Sequence, residues 1–360
     1  MKDLNEIRKD INRIDGEMRR LFSERMAAAK EVAEYKIAHG LPILDADREA
    51  EVIEKNTALL EDEGLRPYYV NFLQGNMAVS RSYQDMLVNG MKVAYSGVAG
   101  AFAYIAASKT FPNARKVAYG SFEEAYAACV KGECDAVVLP VENSYNGEVG
   151  AVTDLMFSGP LYVNGIIDVD ISHCLLGLKD SSISDIKTVV SHPQALAQCN
   201  NYIKNHRFVE NEYENTALAA EYVAKTNDKT LAAIGSEAAA EIFGLKILEK
   251  NINESRTNTT RFAIFSRSEH KHGEGSSGVY SIILFTVSNE AGSLAKALDI
   301  IGKHGFNMRT LRSRPMKELM WEYYFYIEAE GNVNSKEGRR MIEDLEEYCP
   351  RVKLIGSYIK

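Results

Sequence analysis

The sequence predicts a multidomain protein: an all-α segment at the N-terminus, a two-lobed α/β middle and an α+β, ferredoxin-like end. Three observations predict it. Apolar residues recur at spacings of three and four through residues 1 to about 88, with no convincing strand. From Met91 the period changes, and short β-like runs alternate with helical stretches. After residue 279 the order reads strand, helix, strand, strand, helix, strand. The expected boundaries are therefore 1–88, 91–267 and 279–360.

In the first segment Leu4, Ile7, Ile11, Ile14, Met18, Leu21, Ala28 and Val32 share one face. They predict one amphipathic helix of about 35 residues, far longer than most. Gly40-Leu41-Pro42 breaks it, Asp45 caps a second helix running to about Glu63, and residues 66–88 make a third. A long helix with a broad apolar stripe needs a partner, so an intertwined helical homodimer is expected.

In the middle segment the β-like runs are 92–95, 117–119, 136–139, 165–170, 188–190, 231–234 and 261–265. Helical stretches separate them, and Ser121 and Glu124 form a capping box at the start of one. The alternation predicts largely parallel sheets in two lobes with a cleft between them. Residues 268–278 are polar and Gly-rich and read as a linker.

Of the 360 residues, 46% are apolar and 26% charged, ordinary values for a globular protein. A net charge of −8 argues against nucleic acid as the main partner. Five sparse cysteines do not form a disulfide framework or a metal-ligand pattern, so a reduced cytoplasm is expected, with no metal. The first residues contain no apolar signal core, and no run is long enough for a membrane helix.

Basic residues on apolar faces are informative in so acidic a chain. Arg25 falls on the heptad of Leu4, Ile11 and Met18. Lys36 is rotated only about 20° from it and lies about 16 Å further along the helix. Arg8 points about 100° away near the other end, too distant to share their pocket within one chain. In an antiparallel dimer it completes the partner's pocket. Asp45, Arg48 and Glu49 share a face of the second helix, and Ser80 and Gln84 a face of the third. Snorkelling and surface ion pairs are the ordinary reading of any one of these. The whole constellation resembles the all-helical chorismate mutase family. The resemblance implies a unimolecular rearrangement without cofactor. Arg25 and the other chain's Arg8 grip two carboxylates. Lys36 and Gln84 donate to the ether oxygen, and Glu49 accepts from the ring hydroxyl. Arg48, Asp45 and Ser80 support them.

The segment Ser191-His192-Pro193-Gln194-Ala195-Leu196 joins a β-like run to a helix whose first turn opens on proline. Free N–H groups of such a turn favour an anion. His192 reads as a capping residue rather than a general acid, and Ser191 does not pair with it as a nucleophile. Together with Val141-Glu142-Asn143-Ser144, Gly147 and Thr259-Thr260-Arg261-Phe262, the segment resembles the prephenate dehydratase family. That implies two periplasmic-binding-protein-like lobes, with Thr260 as the hydroxyl that assists the leaving group. Asn143, Ser144, Ser191 and Gln194 are the expected polar contacts, and Arg261 holds a carboxylate or a loop, or equally is a member of a structural ion pair. At Gly97–Ala103 the family often has a hydroxyl residue where this chain has alanine.

The last segment resembles an ACT regulatory domain through Asn289–Leu294, Gly305-Phe306-Asn307 and Leu311-Arg312-Ser313-Arg314-Pro315, then Trp321-Glu322. It implies a phenylalanine site drawn from Gly292, Ser293, Leu294, Asn307, Ser313 and Arg314, and feedback on the middle segment. Arg312 stands where that family usually has Glu. The two enzyme resemblances imply chorismate and prephenate as substrates, with arogenate as an alternative to prephenate; a non-catalytic amino-acid-binding regulator is the alternative of a different class.

Overall fold

A computed structural model describes residues 2–255, 257–315 and 323–360. The chain divides into two compact units, Met1–Lys92 and Val93–Lys360.

The first unit is helical, with α1 (Leu4–His39), α2 (Ala46–Ala58) and α3 (Arg66–Asn89). Asp3 opens α1 by accepting from the N–H groups of Asn5 and Glu6. Gly40 closes it at φ 64°, a left-handed turn that glycine adopts without strain. The Asp45 carboxylate accepts from Arg48 N at 3.0 Å and starts α2. That helix ends at Ala58 rather than near Glu63. The Asp62 side chain takes the Gly64 N–H at 2.9 Å, which favours a turn over another helical turn. The apolar stripe of α1 is left largely bare, with Leu4, Ile7, Ile11, Ile14, Met18 and Leu21 all exposed.

The second unit opens with β1 (Lys92–Ser96), α4 (Phe102–Thr110), β2 (Arg115–Tyr119), α5 (Phe122–Lys131), β3 (Ala136–Asn143), β4 (Gly147–Glu148), α6 (Gly150–Ser158) and β5 (Tyr162–Asp170). A second lobe follows: β6 (Cys174–Gly177), β7 (Thr188–Ser191), α7 (Pro193–Gln198), α8 (Asn200–His206), β8 (Val209–Glu212), α9 (Thr216–Thr226), β9 (Leu231–Gly235), α10 (Glu237–Phe243) and β10 (Lys246–Glu249). The chain returns to the first lobe as β11 (Thr259–Ser266). It ends in β12 (Val279–Thr286), α11 (Ser293–Lys303), β13 (Asn307–Pro315), β14 (Tyr323–Glu330), α12 (Lys336–Tyr348) and β15 (Arg351–Ile359).

Two sheets carry these lobes, one ordered β13-β14-β12-β15-β5-β11-β3-β1-β2 with β4 beside β3, the other β10-β6-β9-β7-β8. The sheets are mixed rather than largely parallel. The returning β11 runs antiparallel to both β3 and β5, and β6 runs antiparallel to both its neighbours. Periodicity gave no sign of β8, which is exposed throughout and lies at an edge where nothing demands alternation.

The C-terminal strand–helix order is as expected, with α11 and α12 on one face. Ile283, Phe285 and Ile327 pack there against Ala297, Ile301, Met341 and Leu345. This module continues the first lobe's sheet through Gly356 and Val163 of β15 and β5. A Cβ at Gly356 would lie 2.1 Å from the Val163 carbonyl oxygen, so only glycine permits the approach. Residues 268–278 are also held, since His270 N donates to Asn164 Oδ1 at 2.8 Å and Asn332 Nδ2 to the Gly273 carbonyl at 2.8 Å.

Candidate functional site

In the helical unit, Arg25, Lys36, Asp45, Arg48, Glu49, Ser80 and Gln84 line one cavity of about 180 Å³. Helix α1 brings Arg25 and Lys36, α2 the acidic pair and Arg48, and α3 Ser80 and Gln84. Ser80 is buried; its hydroxyl accepts from Arg25 and donates to the Asn76 carbonyl. Arg25 also donates to that carbonyl at 3.2 Å, so its guanidinium is held before any ligand arrives. Lys36 Nζ rests on the Ile43 carbonyl. Arg81 escaped the sequence reading. It lines the same cavity and pairs with Glu49, and its place three residues before Gln84 on α3 was the available signal. Buried Gln84 has its Oε1 without a hydrogen-bond partner among the described residues. Four cations against two carboxylates suit this cavity to an anion. Arg8 stands outside it, exposed on α1.

In the second unit, the lobes enclose a cleft of about 340 Å³. Strand alternation sends Thr260 and Phe262 of β11 into it and Arg261 to the other side. Register places Thr260 opposite Asn143 on β3 and Arg261 opposite Glu142. Asn143 Nδ2 donates to Thr260 Oγ1 at 2.9 Å. Gln194 and His192 line the cleft from the second lobe. His192 is a cap, as expected, with Nδ1 accepting from Gln194 N at 3.2 Å.

Four expectations are corrected here. Ser191 does not reach the cleft: it is fully buried, and its hydroxyl donates to the Ile234 carbonyl, fastening β7 to β9. Ser144 spends its hydroxyl on Thr257 O and the Thr259 N–H, closing the loop against β11. Arg261 faces away from the cleft and binds Glu328 at 3.1 Å and the Tyr358 hydroxyl at 3.0 Å. The Pro193 turn offers no free anion donors, because the N–H groups of Gln194, Ala195 and Leu196 all bond to His192.

An uncapped helix start does face the cleft, at α4, where Ala101 provides no side-chain cap and Ala101, Phe102 and Ala103 line the wall. The lobes meet beside it, with Ser236 Oγ donating to the Gly100 carbonyl at 2.7 Å. Gly100 has φ 86°, and a Cβ there would lie 3.0 Å from Ala239 Cα. Sequence reasoning also missed Glu148, His173, Gln198 and Asn258, which all line the cleft. His173 is buried, and desolvation holds its ring pKa below the usual range. Gln198 stands one helical turn after Gln194 on α7, which was the available signal for it; the others are isolated in sequence and gave none.

In the C-terminal module Gly292 opens α11 at φ 88° without a side-chain cap. Ser293 is buried beside it, and Leu294 packs on the core. Asn307 and Ser313 lie exposed on β13. Arg314 is not free for an amino acid, since it holds Asp154 at 3.1 Å through Nε. Trp321 and Glu322 lie outside the described residues. Among the described residues no His, Cys, Asp and Glu group could hold a metal, and all five cysteines are buried.

A family model for chorismate mutase type II matches residues 7–85, and one for prephenate dehydratase matches residues 93–270. Fold and cavities thus define a two-site enzyme, a helical isomerase unit joined to an α/β lyase unit. The chain is 33% identical to a bifunctional chorismate mutase/prephenate dehydratase of Aquifex aeolicus, covering 100% of this chain and 99% of that one. Among solved structures, a prephenate dehydratase of Arthrobacter aurescens in complex with L-Phe has a TM-score of 0.69 and 26% identity, covering 75% and 90% of the two chains. A quorum-quenching acylase, GqqA, has a TM-score of 0.70 and 29% identity, covering 74% and 97%. The chain belongs to the bifunctional chorismate mutase/prephenate dehydratase family.

Proposed function

We propose that the helical unit rearranges chorismate to prephenate, and that the cleft of the second unit converts prephenate to phenylpyruvate, water and carbon dioxide. One observation carries the reading. Each unit has its own cavity, and the side chains suited to each reaction converge there.

In the rearrangement a C–O bond breaks as a C–C bond forms, and negative charge gathers on the ether oxygen. Lys36 and Gln84 donate to that oxygen, and Arg25 holds a carboxylate in the compact conformer. Arg81 keeps Glu49 in place to accept from the ring hydroxyl. In the cleft, the carboxylate carbon leaves as carbon dioxide. The freed electron pair enters the ring and expels the hydroxyl as hydroxide, which takes up one proton from solvent to leave as water. Thr260 hydrogen-bonds that departing oxygen, positioned by Asn143. Gln194 adds a contact from the second lobe, and the start of α4 takes a substrate carboxylate.

A second copy of the chain completes the mutase cavity with Arg8. The bare α1 stripe supports this, with a groove of about 950 Å³ between α1 and α3 lined by Met18, Leu21, Phe22, Phe72 and Val79. Phenylalanine bound at the ACT-like module, near Gly292, Ser293, Leu294, Asn307 and Ser313, restrains the cleft by favouring a less active arrangement. Sparse, buried cysteines suit a reducing cytoplasm.

The test supplies purified protein with chorismate or prephenate and quantifies both products over time. Chorismate yielding prephenate and then phenylpyruvate supports the proposal; inertness toward either substrate overturns it.

A further inference from the structure

A chain of side-chain amides runs from the cleft to a histidine that no comparison assigns a role, and its direction is fixed from one end. Asn143 Oδ1 accepts from Tyr145 N and Asn146 N, each at 3.0 Å. A backbone N–H only donates, so this end of the Asn143 amide must be oxygen and the other must be NH₂. That NH₂ donates to Thr260 Oγ1 at 2.9 Å and to Asn258 Oδ1 at 2.8 Å. The Asn258 NH₂ is thereby turned toward Gln198, whose Oε1 accepts it at 3.0 Å. His173 Nε2 lies 3.0 Å from the same oxygen, and an oxygen facing it requires Nε2 to carry a proton.

Each link has a single polarity. If His173 presented a bare Nε2, two acceptors would face each other, and the Gln198 amide would turn over. Its NH₂ would then oppose the Asn258 NH₂, and the disturbance would pass to Asn143 and Thr260. With Nε2 protonated, Thr260 Oγ1 accepts from Asn143, and its own proton is left for the cleft. His173 is 2% exposed, the Phe102 ring packs edge-on at 5.7 Å, and Nδ1 has no hydrogen-bond partner among the described residues. A second proton there would place an unpaired charge in a closed site.

We infer that His173 is a positioning residue for the dehydration step: as a neutral Nε2–H imidazole it matches the polarity set at Asn143, closes the far end of the Gln198–Asn258–Asn143 relay, and so helps hold Asn143 where it presents Thr260 to the substrate as a donor. The inference rests on the dehydratase reading of the cleft.

The test combines kinetics with the spectrum of the intact protein. His173→Leu removes the donor at similar volume and is expected to lower dehydratase kcat about tenfold or more with KM nearly unchanged. His173→Gln, which keeps an N–H donor near Nε2, is expected to recover most of that loss. Neither change alters the mutase rate. Nitrogen-15 spectra of the histidine-labelled wild-type chain show His173 as the Nε2–H tautomer at neutral pH, a readout that does not depend on any variant folding. An Nδ1–H tautomer, a doubly protonated ring, an unchanged kcat in folded His173→Leu, or no recovery in folded His173→Gln overturns the inference. Failure of the wild-type chain to consume prephenate refutes the dehydratase reading itself and is thereby distinguished.

Discussion

Arg312 lies 2.5 Å from Glu142, an ion pair that ties the C-terminal module to the strand carrying Asn143. Glu142 also lies 3.7 Å from Arg261, which in turn holds Glu328. Alternation along β3 and β11 puts this charged cluster on one side of the sheet, and Asn143 and Thr260 on the other. A glutamate in place of Arg312 would face Glu142.

That geometry makes charge reversal worse than neutralisation. Arg312→Gln loses the pair and is expected to destabilise the second unit by about 1 kcal/mol. Arg312→Glu sets two carboxylates together and is expected to cost about 2 kcal/mol, with a lower dehydratase kcat and an unchanged mutase rate. Chemical unfolding measures the first effect and separate assays the second. Equal stability of the two variants would contradict the role given to Glu142.

The two cavities lie in different units, so damage to one leaves the other working. Lys36→Ala is expected to cut the mutase rate about a thousandfold, while turnover of added prephenate is unchanged. Arg8→Ala is expected to lose mutase activity too, because in the proposed dimer its guanidinium serves the second copy's cavity. Mixing the two inactive variants under conditions of confirmed subunit exchange restores part of the rate, through pockets that receive intact residues from both chains. Exchange without recovery would place Arg8 outside the site.

His304 joins α11 to α12, with Nε2 2.7 Å from Asp344 and Nδ1 2.6 Å from Glu337. The Asp344 bond, and then the Glu337 bond, raise its pKa above the ordinary histidine value. Its contribution to stability is therefore complete below about pH 6.5 and is lost as pH rises through the folded-state value. His304→Gln is expected to cost about 0.5 kcal/mol near pH 5.5, and almost nothing near pH 9. Urea unfolding at both pH values checks this; a pH-independent difference would show that the imidazolium does not contribute.

Much of the fold was legible because its periods are simple. The three- and four-residue spacing gave α1 nearly to its ends, and the β-like runs gave most strands of the first lobe but only β7 and β9 of the second. The mixed sheet was not legible, since strand direction depends on how β11 returns from the second lobe rather than on its own residues. The mutase cavity was readable because its residues recur at helical spacing on three helices. The cleft was only half readable. Thr260, Asn143 and Gln194 stand in recognisable motifs, but a motif does not say which way a side chain points. Ser144, Ser191 and Arg261 belong to the same motifs, yet they bond to backbone or to a distant carboxylate. His173, Gln198 and Asn258 are far apart in sequence, and only the folded lobes bring them into one relay.

The central claim is that one chain runs two consecutive reactions in separate sites, the second assisted by the Thr260 hydroxyl. The most direct measurement is a chorismate time course on Thr260→Val with prephenate and phenylpyruvate quantified separately. The account predicts prephenate accumulating at the wild-type rate of chorismate consumption, with phenylpyruvate formation slowed about a hundredfold or more. Phenylpyruvate formed at the wild-type rate, or chorismate consumption slowed in parallel, would contradict it.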